Sequence, residues 1–331
     1  METAWERRAE LRGHATAFRL LNGAASGTPG LVVDMFSEYL VVYAYDKDMR
    51  SLYGDFESEL VRVTGAKGIA LKDRSEKGEE GREEGRKLFG AVPETAEVRE
   101  GPLRFRVHLQ HPRNVGLFLD TRLLREDLIL SCRRHDVLNL FSYSCSLGIA
   151  AAYNNQGSVV NVDISTRYLG WGKENLALNG MSSDKAKFVT MDSQKYLDWA
   201  IKKVQSYDVV ILDPPSFSRS KGAIFTFDED YFKLVAKCLK VLRPGGRFYA
   251  LTNYGGIAPE AFRQSLKGAL DAAGFGDAAI HRLALPDDFD GAGEASKGGK
   301  TKGNPGDAPV AVEGTLLAFD ATLPNKEIQP L

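Results

Sequence analysis

Five consecutive residues, Asp213-Pro214-Pro215-Ser216-Phe217, carry the most pointed chemistry in this sequence. The two prolines remove two backbone donors and fix φ, so the carbonyls of the turn stand outward as rigid acceptors. Such acceptors suit the N–H groups of a flat base, and Phe217 can stack on its face, an interaction worth about 1–3 kcal/mol. A tight turn alone gives no reason for an acid ahead of two prolines. Three further places could hold a ligand. The run Asn139-Leu140-Phe141-Ser142-Tyr143-Ser144-Cys145-Ser146-Leu147-Gly148 is a turn of small residues opening a helix, where backbone N–H groups can hold a carboxylate or phosphate. It is not a Gly-x-Gly-x-x-Gly loop, so a dinucleotide is poorly supported, and an ordinary strand–helix loop has the same composition. Asp163 can accept both hydroxyls of a ribose; equally, with Ser165 two residues on, it stands where a helix is capped. Asp192 can accept from an adenine amino group or cap the next helix.

Each of these places follows a run that reads as a strand. Apolar β-type runs occupy Val137–Phe141, Val159–Asp163, Phe188–Met191, Asp208–Leu212 and Phe248–Thr252, separated by helical stretches near 146–154, 165–178, 194–204, 229–241 and 259–273. Strands alternating with helices of this length predict βαβ units and a parallel sheet with helices on both faces. Ala278–Leu283 and Thr315–Phe319 would complete it. Residues 286–313, rich in Gly, Ala, Asp, Lys and Pro without an apolar period, read as a flexible insertion. Residues 1–110 differ. Leu31–Val33 and Tyr39–Tyr43 read as a hairpin, Val98–Val107 as a second one turning at Glu100-Gly101-Pro102, and 50–63 as helical. Lys72 to Lys87 reads as a solvated loop. The division is therefore 1–110, a small α/β domain with possible RNA-binding function, and 111–331, the catalytic domain.

The net charge of −1 means that a nucleic-acid partner would need a local basic surface. Candidates are Arg7, Arg8, Arg12 and Arg19, then Arg104, Arg106, His108, His111 and Arg113, although a solvated strand face explains each one singly. Three scattered cysteines, Cys132, Cys145 and Cys238, exclude a disulfide framework and a zinc site. With neither an apolar leader at the first residues nor a membrane-length apolar run, a cytoplasmic setting is expected.

Taken as a set, several segments resemble the class I methyltransferases that modify bacterial 23S ribosomal RNA at cytosine C5 or guanine N7. They are Gly116-Leu117-Phe118-Leu119-Asp120-Thr121-Arg122, Val137 through Tyr143, Val162-Asp163-Ile164-Ser165, Glu174 through Gly180, and Asp208 through Phe217. Phe18–Gly23 and Gly30–Asp34 are similar to the small α/β domain that precedes the catalytic domain there; the PUA-type domain that often comes first is not among these residues. The resemblance implies a Rossmann-like, doubly wound, mostly parallel sheet. It implies S-adenosyl-L-methionine held by the Asn139–Gly148 loop (Asn139, Phe141, Ser142, Tyr143, Ser144, Gly148), by Asp163 with Ile164, and by Asp192. Asp213 would lie beside the methyl donor, and Asp120 and Arg122 in a segment that closes over it. One departure stands out: the family has Thr-Gly-Gly or Thr-Gly-Ser where this chain has Ser144-Cys145-Ser146, so a left-handed residue there would be strained.

The target atom turns on the fifth strand. Methylation of cytosine C5 needs a cysteine added to the neighbouring ring carbon, and in that branch it follows this strand. Here the residues are Leu251-Thr252-Asn253-Tyr254-Gly255-Gly256, with no thiol. Guanine N7 already carries an in-plane lone pair and needs only positioning and electrostatic help; the Ser-Asn-Asn of that branch is closer to Thr252-Asn253-Tyr254. The expected machinery is thus Asp213, Pro214, Pro215, Phe217 and Asn253, with no metal, acting on RNA. Alternatives are a cytosine-C5 enzyme with a displaced cysteine, a small-molecule methyltransferase, and a catalytically silent RNA-binding protein.

Overall fold

The computed structural model of the chain describes residues 1–45, 53–74, 86–215, 217–220, 223–289 and 316–324. The chain divides into two compact units, Met1–Arg122 with Leu285–Glu313, and Leu123–Ala284 with Gly314–Leu331.

The first unit opens with helices α1 (Glu2–Arg7) and α2 (Ala9–His14), followed by strands β1 (Ala17–Asn22), β2 (Leu31–Phe36) and β3 (Tyr39–Ala44). Helix α3 (Tyr53–Thr64) leads to β4 (Gly68–Asp73) and β5 (Arg86–Gly90), and the hairpin β6 (Thr95–Glu100) and β7 (Leu103–His108) completes the unit. Strands β1 to β5 form one sheet in sequence order; only β3 and β4 run parallel, because α3 carries the chain back between them. The two expected hairpins are present. The first turns at Ser37-Glu38, with Ser37 left-handed at φ 58°. Strand β1 sends Phe18, Leu20 and, across a register shift after Arg19, Leu21 into the core with Leu31, Val33, Leu40, Val42, Leu60 and Ile69.

Two expectations for this unit are corrected. Lys72 does not begin a solvated loop: it lies in β4, buried, and its Nζ donates to the carbonyls of Leu109 (2.9 Å) and His111. Residues 75–85 of that stretch lie outside the described residues. The insertion placed at 286–313 does not begin at 286. Asp287–Phe289 form a 3-10 turn with Asp288 and Phe289 buried, and residues 290–313 lie outside the described residues. The Asp288 carboxylate takes the Arg122 guanidinium and the backbone N–H of Arg19 (2.7 Å), while its carbonyl accepts from Arg8 (3.1 Å). Arg19 in turn binds Asp34, its cross-strand partner, at 2.9 Å, and its guanidinium lies 4.3 Å from the centre of the Phe289 ring.

After α4 (Arg122–Ser131), the second unit alternates strictly. It runs β8 (Val137–Leu140), α5 (Ser146–Ala152), β9 (Val159–Asp163), α6 (Thr166–Leu178), β10 (Ala186–Thr190), α7 (Ser193–Lys202) and β11 (Tyr207–Leu212). A short hairpin, β12 (Phe217–Ser220) and β13 (Ala223–Thr226), precedes α8 (Phe227–Lys240), β14 (Leu242–Thr252), α9 (Pro259–Ala272), β15 (Ala279–Arg282) and β16 (Leu317–Thr322). The sheet order is β10-β9-β8-β11-β14-β16-β15. The first five strands are parallel and β16 runs antiparallel between β14 and β15, giving the expected Rossmann-like, doubly wound arrangement. Val and Leu on these strands, Tyr231, Leu234 and Cys238 on α8, and Phe262 and Leu266 on α9 make one core.

Candidate functional site

Strand order reverses at β8: β9 and β10 lie on one side, β11 and β14 on the other. The carboxyl ends of β8 and β11 therefore border the crevice in which doubly wound sheets bind ligands. From the end of β8 the chain enters a loop in which Phe141 (φ 55°), Tyr143 (φ 48°) and Cys145 (φ 62°) are left-handed. Non-glycine residues adopt that conformation only when their surroundings over-determine it, and here they do. The N–H of Phe141 donates to Ser193 Oγ (3.2 Å), that of Ser142 to the Val162 carbonyl (3.0 Å), that of Tyr143 to Asp163 Oδ2 (2.9 Å), and that of Cys145 to the Ser142 carbonyl (2.7 Å). Asn175 Nδ2 secures the Ser144 carbonyl from α6 (3.3 Å). Backbone N–H groups of the Asn139–Gly148 run were expected to hold a ligand anion; those of Phe141, Ser142, Tyr143 and Cys145 are engaged within the protein.

The residue expected to be strained in place of glycine is Cys145, and it is left-handed. Its buried thiol fills space that Gly172 leaves, since a Cβ on Gly172 would come 2.5 Å from the sulfur. Gly148 has a similar reason: a Cβ there would lie 1.8 Å from Asn161 Oδ1. Asn139, only 1% exposed, donates to that same oxygen at 2.9 Å. Asn139 and Gly148 thus pack against Asn161 beneath the loop, and Ser144 is a buried residue of the loop itself. Asn161 and Gly172 escaped the sequence reading, although Asn161 carried a signal: it is the polar residue inside an apolar strand, in register with Asn139 on the next strand.

Asp163 ends β9. Its Oδ2 accepts from Tyr143 and its Oδ1 from the N–H of Ser165 (2.8 Å). Burial pushes its carboxyl above the ordinary aspartate range, and those N–H bonds pull against the shift. Capping of α6 falls to Ser165 Oγ, which accepts from the Tyr168 N–H. A carboxylate has about four acceptor sites; the N–H groups of Tyr143, Ser165 and Ile164 draw on them, which leaves capacity for a ligand hydroxyl. Ile164 beside it is 61% exposed. Tyr143 is held by an edge contact with Tyr168 (centroids 4.5 Å apart), itself 5.2 Å from Trp171. Asp192 caps α7, its Oδ1 accepting from the Lys195 N–H at 3.1 Å.

At the end of β11, Asp213 is partly exposed, Pro214 buried and Pro215 exposed. Ser216 and the side chain of Phe217 lie outside the described residues; Phe217 itself opens β12. Behind the turn, Tyr231 donates to the Leu251 carbonyl (2.9 Å). Burial and the nearby Asp213 charge hold its hydroxyl neutral, well above the ordinary tyrosine range. Beyond β14, Asn253 is exposed and Tyr254 half-buried. All three cysteines are buried. Burial raises the thiols of Cys132 to about 11 and Cys145 to about 12, and Cys238 further still.

Asp120 and Arg122 belong to the first unit, where Arg122 is buried on Asp288. Several of the basic candidates are also engaged in the fold. Arg8 and Arg19 serve the Asp288 turn, Arg12 lies over Trp5 (3.8 Å), Arg106 pairs with Glu97 and His111 is buried. Arg7, Arg104 and Arg113 are exposed. A cavity of about 550 Å³ lies under α7 and along β10, lined by Asp136, Ser158, Tyr207 and Arg243 from the amino ends of their strands. The carboxylates named above stand at the opposite ends, and by the switch-point rule they mark the site. Among the described residues no helix is long and apolar enough to cross a membrane, and no group of side chains could hold a metal ion.

A model of the S-adenosylmethionine-dependent methyltransferase family matches residues 79–297, and the chain belongs to that family. The Ribosomal RNA large subunit methyltransferase K/L of Vibrio parahaemolyticus is 34% identical over 228 residues, 65% of this chain and 31% of its own length. That of Shewanella pealeana is 36% identical over 188 residues, 56% and 25% respectively, so the chain spans a quarter to a third of these relatives. Bacillus subtilis YwbD, provisionally named a ribosomal RNA large subunit methyltransferase, is 28% identical over 277 residues, 83% of this chain and 70% of its own. The crystal structure of SMU.776 complexed with SAH superposes with a TM-score of 0.81 at 25% identity, over 97% of this chain and 80% of that one.

Proposed function

We propose that this S-adenosylmethionine-dependent methyltransferase methylates a purine nitrogen of large-subunit ribosomal RNA, guanine N7 being the favoured atom. The names of the K/L relatives and YwbD support the RNA class. The observation that carries the choice of atom is the Asp213-Pro214-Pro215 turn facing a strand end, Thr252-Asn253-Tyr254, that has no thiol, while every cysteine is buried with a raised pKa.

S-adenosylmethionine, when bound, supplies an electrophilic methyl group on a sulfonium. The Asp163 carboxylate would accept from its ribose, Ile164 would offer an apolar surface to its base, and the Phe141–Cys145 loop would give a fixed wall; Asp192 would serve the adenine amino group. The proline carbonyls and Asn253 bind and orient the target base. Bound there, the cofactor would supply the methyl group to the N7 lone pair and keep the carbon–sulfur bonding pair on its sulfur, so that the base would take up the positive charge. No proton has to leave, so no general base is required. Asp213 then stabilises the developing cation electrostatically.

The test is transfer of a labelled methyl group to deproteinised ribosomal RNA, followed by mass spectrometry of its nucleosides. A 7-methylguanosine signal is expected. A 5-methylcytidine signal, or covalent trapping on RNA containing 5-fluorocytosine, overturns the choice of atom; an unlabelled RNA overturns the substrate class.

A further inference from the structure

Tyr254 has no part in the chemistry just described, yet its ring is more firmly fixed than a loop residue needs. It stacks on Phe227 with centroids 4.7 Å apart and planes 26° from parallel. Its backbone N–H donates to Thr252 Oγ1 at 3.1 Å. Gly256 makes room for it, since a Cβ there would lie 2.4 Å from Tyr254 Cζ. The support continues inward: Phe227 lies 4.7 Å from Tyr231, the residue whose hydroxyl binds the Leu251 carbonyl and responds to the charge of Asp213. Phe227 and Tyr231 are buried, whereas Tyr254 keeps part of its surface in solvent. Strands β11 and β14 are neighbours, with Leu212 level with Ala250, so the turn at Asp213 and the loop at Tyr254 leave the sheet side by side.

From this geometry we infer that Tyr254 is a substrate-binding residue, a stacking platform for the base being methylated, with Asn253 beside it at the base edge. The inference rests on the reading that the substrate is a nucleobase in RNA. A ring already immobilised by Phe227 and by the missing Cβ of Gly256 loses little freedom when a base stacks on it. Stacking acts equally on the bound substrate and on the transition state, so its loss appears in KM rather than in kcat.

The experiment compares the full chain with Tyr254→Phe and Tyr254→Leu, using deproteinised ribosomal RNA and a labelled methyl donor. Tyr254→Phe keeps the π face and stays within about threefold of the wild type, while Tyr254→Leu keeps bulk but loses the face and raises KM for RNA about 5- to 150-fold. Calorimetric affinity for S-adenosylmethionine stays unchanged in both; the thermal midpoint holds in Tyr254→Phe and falls by only a few degrees in Tyr254→Leu, the loss of the Phe227 stack, and both variants are assayed below it, which separates base stacking from folding. Equal KM values for Leu and Phe overturn the platform while leaving RNA methylation standing. A wild-type enzyme that labels no RNA overturns both.

Discussion

Asp288 is the sharpest place to perturb the first unit. Its carboxylate is enclosed with the Arg122 guanidinium, their side chains 1% and 5% exposed, and it also accepts the Arg19 N–H. Removing one member of a buried ion pair leaves the other charged without compensation, which typically costs about 3–5 kcal/mol. Asp288→Ala strands both Arg122 and the Arg19 N–H, so the upper half of that range applies. For a unit of this size, the loss lowers its unfolding midpoint by roughly 10–20 °C. Calorimetric and denaturant unfolding read this directly, provided the two units are fitted as separate transitions. Adding Arg122→Met removes the orphaned cation and recovers part of the loss, as double-mutant coupling requires. By composition, replacing residues 290–313 with a Gly-Ser linker leaves the midpoint in place, whereas replacing 286–313 reproduces Asp288→Ala. A midpoint within 2 °C of the wild type for Asp288→Ala refutes the reasoning, because the pair would then contribute nothing that water could not replace.

Asp163→Ala weakens S-adenosylmethionine binding by about 2–4 kcal/mol in calorimetry, the loss of hydrogen bonds to a charged acceptor; unchanged affinity sinks that role. Because burial raises the Asp163 carboxyl above the ordinary 3.8, wild-type affinity falls with decreasing pH through a midpoint above that value, and Asp163→Asn shows no such transition. Gly148→Ala drives a methyl group into Asn161 and displaces the loop from below, so cofactor affinity falls with little change in RNA affinity; a normal cofactor titration contradicts this. Lys72, lowered to about 8 mainly by burial and also by Arg74, binds fewer protons folded than unfolded between about pH 8 and 10.5. Its contribution to stability therefore grows as pH rises through that window, and the gap in unfolding free energy between wild type and Lys72→Met widens there; a constant gap rejects the shift.

The parallel part of the catalytic sheet was legible because β9, β11 and β14 are apolar runs that lead into Asp163, Asp213 and Thr252, and helices between the strands have ordinary caps such as Ser165. Asp163, the loop after β8 and the Asp213 turn all stand at strand ends, where chain-local patterning reveals them. What was illegible is what the chain brings together from afar. Nothing around Lys72 announced that two carbonyls near residue 110 would enclose it, and a charged, glycine-dotted neighbourhood argued the reverse. The basic residues near the amino terminus looked like a surface because their partners, Asp34 and Asp288, lie elsewhere in sequence. Asp288 itself sat in a stretch whose average composition hid two buried residues.

The Asp288 turn also sets an order of events during synthesis. Arg122 and Asp288 are 166 residues apart and Arg19 and Asp288 are 269 apart. At about 5–20 residues per second, the ribosome needs roughly 8–30 s to add Asp288 after Arg122. Through that interval the residues of the first sheet and hairpin exist without the acid that pairs with Arg122. The unit that begins first is thus completed only after most of the second has been made, and a nascent chain halted before residue 288 lacks the carboxylate that pairs with Arg122.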